Sequence, residues 1–529
     1  MSEPVWRVGS GIGRLLCALA ISAVLVLGAS TGCKRGPAVL PAEGQTIIDR
    51  TLVEYPAGTE LKPFITGLTA PSAMTFDNDG SLIIAESGID GRNPRIYGFR
   101  QDGTYFDIYP FGRRLPNIFG IGGGGFRIYG PIGGMTFTNG KLYVTHRDVN
   151  NRGVVTALGY DGSHQTIVAD LPAQGDHSVT DIVLHPRDGR LYFGMGTATN
   201  SGVVGLDNMR WLRRNRTVAD QPWGGVYLLG RRFDTPNPFS GLFGGADLAV
   251  TAPFQPFGKS IETFVPAAPN GKPNGAIYSV DPNGGGLRIE AFGIRYPFGL
   301  GFAENTALYA TNQGMKLRGT RPVKDDPDVM IQILQGQWYG WPDYSANLRP
   351  IREPQFQPPV EMIVKSGYRD LSFLIDRTHP SSGLPIDLSP TNLLRAEFKP
   401  LSGAAKFDFA PPSGPFSRLR QGGNIAIVAQ WGDRAPYDTG GLRLAGPTGY
   451  KVVQVNVDDR QVTEFIRNTR QGPASRHDIA AMERPIDVKF GPDGALYILD
   501  FGQMEMKKGK EKIRGGTGKV YRLFAITEQ

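Results

Sequence analysis

One motif recurs six times along this chain of 529 residues and decides what it can fold into. Its cleanest copy is Pro485-Ile486-Asp487-Val488-Lys489-Phe490-Gly491-Pro492-Asp493-Gly494-Ala495-Leu496-Tyr497-Ile498-Leu499-Asp500. A first apolar-patterned run meets a Pro-Asp-Gly turn, and a second apolar run ends in a polar residue, which is the pattern of a β-hairpin. Looser copies begin at Pro71, Gly133, His177, Pro297 and Ser402, with Phe76, Phe137, Leu184, Phe302, Phe407 and Phe490 as equivalent anchors. After most copies comes a further strand with a polar turn, as at 95–100 before Asp102-Gly103 and at 276–280 before Asp281-Pro282-Asn283-Gly284.

A hairpin followed by another makes a four-stranded antiparallel sheet, and six such sheets set radially leave only short, protected edges. The expected fold is therefore all-β: a six-bladed β-propeller of four-stranded antiparallel blades over residues 61–529. Its last strand, 518–523, would pair with one from the start of the domain and close the ring. Two stacked β-sandwich domains are the alternative. Gly 71 and Pro 41 fit a turn-rich β protein, and no long helical period stands out after the N-terminus. Uneven spacing of the anchors predicts large loops inserted in the third, fourth and fifth blades, building up one end of the ring.

The first 33 residues read as an export signal. Arg7 and Arg14 precede an apolar run from Leu15 to Gly28, followed by Ser30-Thr31-Gly32-Cys33. This is similar to a bacterial lipoprotein signal, in which Cys33 would be acylated and become the mature N-terminus; an uncleaved membrane anchor is the alternative, though the run is short for a span. Residues 34–60 would be a linker, with a possible strand between 46 and 55. The chain is thus expected in the cell envelope, on the periplasmic or extracellular face. Cys17 and Cys33 are its two cysteines, so the exported domain has no pair to form a disulfide and no cysteine metal site. The net charge of +8 is spread rather than blocked, and the basic stretch 507–512 reads as a solvated loop, so nucleic acid is not an expected partner.

Strand ends that reach the axis of a propeller bring distant residues together. The second-strand ends Glu86, His146, Thr197, Asn312, Gln430 and Asp500 form a polar set, readable as catalytic or as the lining of a solvated channel. His177 opens the third hairpin beside Asp176, and an imidazole with a carboxylate neighbour can take a proton near neutral pH. An ordinary loop histidine would look the same in sequence.

Three segments carry a resemblance to a known family. Asp176-His177 leading into Asp188-Gly189-Arg190-Leu191-Tyr192-Phe193-Gly194, then Arg295-Tyr296-Pro297-Phe298-Gly299-Leu300, then Asp328 with Gly336-Gln337-Trp338-Tyr339-Gly340-Trp341-Pro342, resemble the glucose/sorbosone dehydrogenase family. The resemblance implies an exported six-bladed propeller using pyrroloquinoline quinone (PQQ) and calcium. It implies His177 as the base that takes the sugar's hydroxyl proton while hydride passes to the quinone, with Asp176 holding sugar and base. Arg295 and Tyr296 would contact the quinone; Gly314, through its backbone, Asp328 and Tyr339 would serve calcium. The chain departs from the family pattern at Tyr296 (Asn in the family), at Val329 (Glu), and at Gly314-Met315 (Gly-Pro), after which comes a loop with Lys316, Arg318, Arg321 and Lys324.

Three functions follow from these residues. One is an exported, lipid-anchored, quinone-dependent sugar or alcohol dehydrogenase that passes electrons to an external acceptor. Another is a non-catalytic propeller binding carbohydrate or protein. The last is a lactonase with a metal among Glu86, Asn312 and Asp500.

Overall fold

The computed structural model describes residues 46–526, apart from 90, 92, 112–125, 241–246, 363–370, 380, 382–387, 443 and 508–509; the expected signal and Cys33 lie outside the described residues. Each of the six hairpins forms the first two strands of an antiparallel blade: Pro71–Phe76 with Leu82–Glu86, Tyr129–Thr138 with Lys141–Arg147, Val179–Leu184 with Leu191–Met195, Pro297–Phe302 with Leu308–Asn312, Ala404–Phe409 with Ile425–Gln430, and Pro485–Phe490 with Leu496–Asp500. Two further strands complete each blade, and the first strands pack one against the next around the axis. The fold is a six-bladed β-propeller. In the fifth blade the residue closing the first strand, as Phe490 does in the sixth, is Phe409 rather than Phe407.

The ring closes through the N-terminal side of the domain. Thr59–Leu68 pairs with Gly518–Ala525 in the sixth blade, and Val53–Glu54 pairs with Val462–Asn468 in the fifth. The expected linker is therefore shorter than 34–60: the backbone groups of 53–54 and of 59–60 are already spent in ladders, so the ring begins before residue 61.

Polar seams join every blade to the next. Ser72 Oγ donates to Ile132 O (2.8 Å), Thr145 Oγ1 to Thr180 O (2.6 Å), Thr180 Oγ1 to Pro297 O, and Thr311 Oγ1 to Ala405 O (2.7 Å). The last two seams use carboxylates: Asp408 accepts from Phe490 N (2.9 Å) and Asp487 from Met74 N (3.0 Å). Small hydroxyls and short acids at these positions satisfy buried backbone groups where apolar side chains would leave them unpaired.

A buried cation joins the first strands near the axis. Lys406 is fully buried, and its ammonium donates to Ser72 O at 2.8 Å while lying 3.6 Å from Asp181 and 3.8 Å from Asp487. Four blades thus meet on one cation. The expected channel lining is corrected for Glu86, Asn312 and Asp500, because the first strands pack together around the axis and these three second-strand ends hold loops instead. Glu86 accepts from Thr69 N, Asn312 from Tyr296 N, and Asp500 from the amides of Glu483, Arg484 and Gly502.

The inserted loops build one end of the ring, where first strands begin and second strands end. The segment after Ile333 adds Gln337–Trp338 in parallel to the outer edge of the third blade, at Phe292. It then reaches this end, where Tyr339 N and Trp341 N donate to Phe292 O and Gly293 O. There it joins the loops after Met195 and Asn312 in a second apolar core that includes Val203, Phe254, Met315, Trp338, Trp341 and Phe356. Among the described residues no helix is long and apolar enough to cross a membrane.

Candidate active site

The turn into the third blade is set by Gly175. Its φ is +126°, and a Cβ there would lie 2.4 Å from Ala198 Cα, so only glycine fits. Asp176 N and His177 N then donate to Ala198 O and Thr197 O, which fixes the two side chains at the built-up end of the ring.

The His177 ring is buried and oriented from both sides. Nδ1 lies 3.0 Å from Thr197 O, and a carbonyl can only accept, so Nδ1 carries the proton and Nε2 the lone pair. Nε2 has no hydrogen-bond partner among the described residues. The ring face stacks on Tyr296, with centroids 4.0 Å apart and planes 27° from parallel. Gly196 underlies this pair: a Cβ there would lie 2.4 Å from His177 Cβ and 2.8 Å from Tyr296 Cδ2. Burial, reinforced by the charges of Arg295, Arg318 and Arg434, pushes the imidazole well below its usual value. His177 is therefore neutral at pH 7, with an available base nitrogen.

Arg295 reaches the same end of the ring. Its carbonyl accepts from Thr197 N at 2.9 Å, and its guanidinium donates to Asn200 O and Asn200 Oδ1 (both 3.0 Å) and to Gln313 O (3.3 Å). Among the described residues it has no carboxylate partner in hydrogen-bond contact, and burial, with the nearby Arg318 charge, brings it down to about 10. Burial likewise pushes Tyr296 up to about 12, so its hydroxyl stays protonated. Asp176, His177, Arg295 and Tyr296 thus come together from the third and fourth blades.

Asp176 is not free to hold both a sugar and the base. Its carboxylate accepts from Asn208 Nδ2 (2.9 Å) and pairs with Arg318, and no bond joins it to His177. Arg318 also pairs with Asp207 and lies 3.5 Å from Asp438, while its guanidinium sits 5.1 Å from the Tyr437 ring centre. Burial works against the charged form of Asp438, but Arg434, Arg318 and Lys316 outweigh it and hold the carboxyl down at about 2. One cation therefore ties the loops of the third, fourth and fifth blades together across the site. The loop of Lys316, Arg318, Arg321 and Lys324 is largely interior: its first three basic residues are 3%, 4% and 1% exposed.

The residues expected to serve calcium do not fit it. Asp328 is fully buried, and five donors fill its two oxygens: Gly314 N (3.0 Å) and the Lys316 ammonium (3.2 Å) on one, Ser402 Oγ (3.0 Å), Gly403 N (2.6 Å) and Ala404 N (3.1 Å) on the other. Asp326, packed against Gly314, is bonded to Met315 N (2.6 Å) and Ala346 N (2.8 Å). The Tyr339 hydroxyl donates to Gln332 O and accepts from Leu334 N. That is the far end of the strand Asp328–Ile333, roughly 13 Å from Asp328 at the rise of an extended chain. Calcium wants six to eight oxygens, charged ones among them; here the carboxylate is saturated and an ammonium already sits on it. Among the described residues no three His, Cys, Asp or Glu side chains gather as metal ligands would, and Glu86, Asn312 and Asp500, expected to share a metal, each accept from backbone amides of their own surroundings.

Sequence reasoning missed Arg147, Asn200, Asp207, Arg434 and Asp438. Their signal is weak because each is an isolated polar residue in a loop or strand end, and its partners lie far away in sequence.

No family model matches the chain, and no curated protein matches it. Among solved structures it is similar to a Trichoderma reesei protein of carbohydrate-active enzyme family AA12, at 14% identity and TM-score 0.49, covering 92% of this chain and 100% of that one. It is also similar to the PQQ domain of pyranose dehydrogenase from Coprinopsis cinerea, at 10% identity and TM-score 0.46, covering 91% and 99%. A third likeness is to the PQQ-bound aldose sugar dehydrogenase of Streptomyces coelicolor, at 14% identity and TM-score 0.43, covering 89% and 99%. The chemistry of this chain therefore has to be argued from its own side chains.

Proposed function

We propose that this end of the ring is the active site of an exported sugar or polyol dehydrogenase in which His177 takes the hydroxyl proton. The observation that carries the reading is the fixed tautomer: Nδ1–H is held on Thr197 O, and Nε2 has no partner among the described residues, in a buried, positively charged setting. A neutral imidazole so placed accepts a proton from an alcohol as its C–H bond is broken, and a nearby cation steadies the developing alkoxide. Arg295, which has no carboxylate partner among the described residues, is the residue that would hold an anionic quinone, and such a quinone would supply the hydride acceptor. Calcium has no part in this proposal, for the reasons of donor saturation given above. The leader and Cys33 support export and lipid anchoring.

The buried Arg318 bridge favours a second reading, a propeller that binds a carbohydrate without transforming it. The test uses the mature chain from residue 34 with PQQ and a panel of aldoses, polyols and sugar acids, following reduction of an artificial dye. His177→Ala should lower turnover by roughly 10²-fold or more while leaving sugar binding measurable. Sugar binding without dye reduction by either protein selects the second reading.

A further inference from the structure

Arg147 ends the second strand of the second blade and is 9% exposed. Its Nε donates to Ala173 O at 3.0 Å, and its guanidinium lies 4.9 Å from the Trp211 ring centre. Neither terminal nitrogen has a hydrogen-bond or ion-pair partner among the described residues. This sets it apart from other buried arginines. Arg318 and Arg321 each meet a carboxylate, and Arg484 gives its hydrogens to Trp431 O, Asp433 O and the Tyr450 hydroxyl.

The surroundings add positive charge instead of relieving it. Burial pushes Arg147 down to about 10, and Arg210 and Arg214 push it further the same way. Both of those arginines are exposed, in or just after the short helix Met209–Leu212, and neither has an ion-pair partner among the described residues. On its other side Arg147 acts on Tyr296, the ring stacked on His177. A desolvated guanidinium with two open hydrogen-bonding ends, approached through a basic rim and within electrostatic reach of the tyrosine that stacks on His177, is built to receive a planar anion through paired N–H bonds.

We propose that the substrate of this site is a sugar acid, an aldonate or uronate, whose carboxylate pairs with Arg147 while its hydroxyls face His177. The assignment rests on the reading of this end of the ring as a small-molecule site. Arg147 is a specificity-determining residue in it, distinct from the cation that would hold the quinone. A carboxylate on the quinone offers the same chemistry, so the test separates the two sources.

Isothermal titration of the mature chain with D-glucuronate, D-gluconate and D-glucose should show the two acids binding at least about 10-fold more tightly than glucose, with a preference that weakens as salt is raised. Arg147→Met should abolish the preference, and Arg147→Lys should keep part of it, because a point charge replaces the fork. Equal binding of glucuronate and glucose, or a preference that survives Arg147→Met, overturns the assignment. A loss of PQQ affinity in Arg147→Met with the acid preference intact also overturns it, giving Arg147 to the cofactor. If acid binding depends on Arg147 but no sugar reduces the dye, the dehydrogenase reading fails and the carboxylate site stands.

Discussion

Replacing Lys406 by Met tests the claim that the axis of the ring is held by one buried cation. Methionine keeps most of the side chain's length and packing and removes only the charge. The change leaves Asp181 and Asp487, 2% and 1% exposed, without the ammonium that lies 3.6 and 3.8 Å from them, and Ser72 O without its 2.8 Å donor. Each carboxylate keeps one backbone donor, Leu300 N at 3.2 Å and Met74 N at 3.0 Å, and the Lys489 charge on the same inner strand as Asp487 still acts on the group, as do the charges of Asp408 and the two acids themselves. Breaking a buried pair from one side costs about 3–5 kcal/mol. For a folded region of roughly 480 residues, unfolding entropy near 2.1 cal/mol/K per residue gives about 1 kcal/mol per degree, so Tm should fall by about 3–5 °C. The loss should depend on pH with a definite sign. Burial already pushes Asp487 up to about 6, against the pull of Lys406 and Lys489, and removing Lys406 pushes it higher. A carboxyl whose folded value is raised contributes stability at low pH that is lost as pH rises through that value. The deficit of Lys406→Met should therefore be larger at pH 8 than at pH 5, and adding Asp487→Asn should restore part of it. Calorimetry across this range decides the matter. A drop under about 1 °C, or a deficit that ignores pH, would refute the role given to Lys406.

Three further outcomes follow from the site. Gly196→Ala should push His177 and Tyr296 apart, lowering His177-dependent turnover by about 100-fold and stability by about 1–3 kcal/mol; a variant with wild-type rates and an unchanged imidazole nitrogen spectrum would show that the stack does not position the base. Chelator or added calcium should leave Tm within about 1 °C, whereas a ligand at a hundred times its Kd adds about 2.7 kcal/mol, so a calcium-dependent Tm that Asp328→Asn removes would contradict the saturated donor set. Burial, with a contribution from Asp176, pushes Asp220 up to about 7 despite its bonds from Thr199 and Ala198. It should drain up to about 4 kcal/mol as pH rises from 4 to 7, and Asp220→Asn should flatten that slope in a denaturant series, identical slopes counting against it.

The ring was legible because its determinants are local. Six alternations of the kind seen at Pro485–Phe490, each with a turn and a second apolar run, specify blades without knowledge of distant partners. The approach of His177 to Arg295 could also be read, since each lies two residues before a first strand and all first strands start at one end. What stayed hidden depends on pairs far apart in the chain. Lys316, Arg318 and Arg321 look like a solvated basic loop until Asp328, Asp176, Asp207 and Asp343 are brought to them. Tyr339 sits in the family-like segment, yet the parallel addition of Gln337–Trp338 to the third blade turns its hydroxyl toward Gln332, and periodicity carries no hint of that excursion.

The pairing of Thr59–Leu68 with Gly518–Ala525 has a consequence for biogenesis. The partner of an early-made strand is made long after it, so the circle cannot be sealed until Gly518–Ala525 has left the ribosome. Until then Leu496–Asp500 has one flank uncovered, and the nascent chain is an open arc of blades. A chain that cannot lock early stays an unfastened arc throughout its synthesis, and loss of Gly518–Ala525 would leave that arc permanently unsealed.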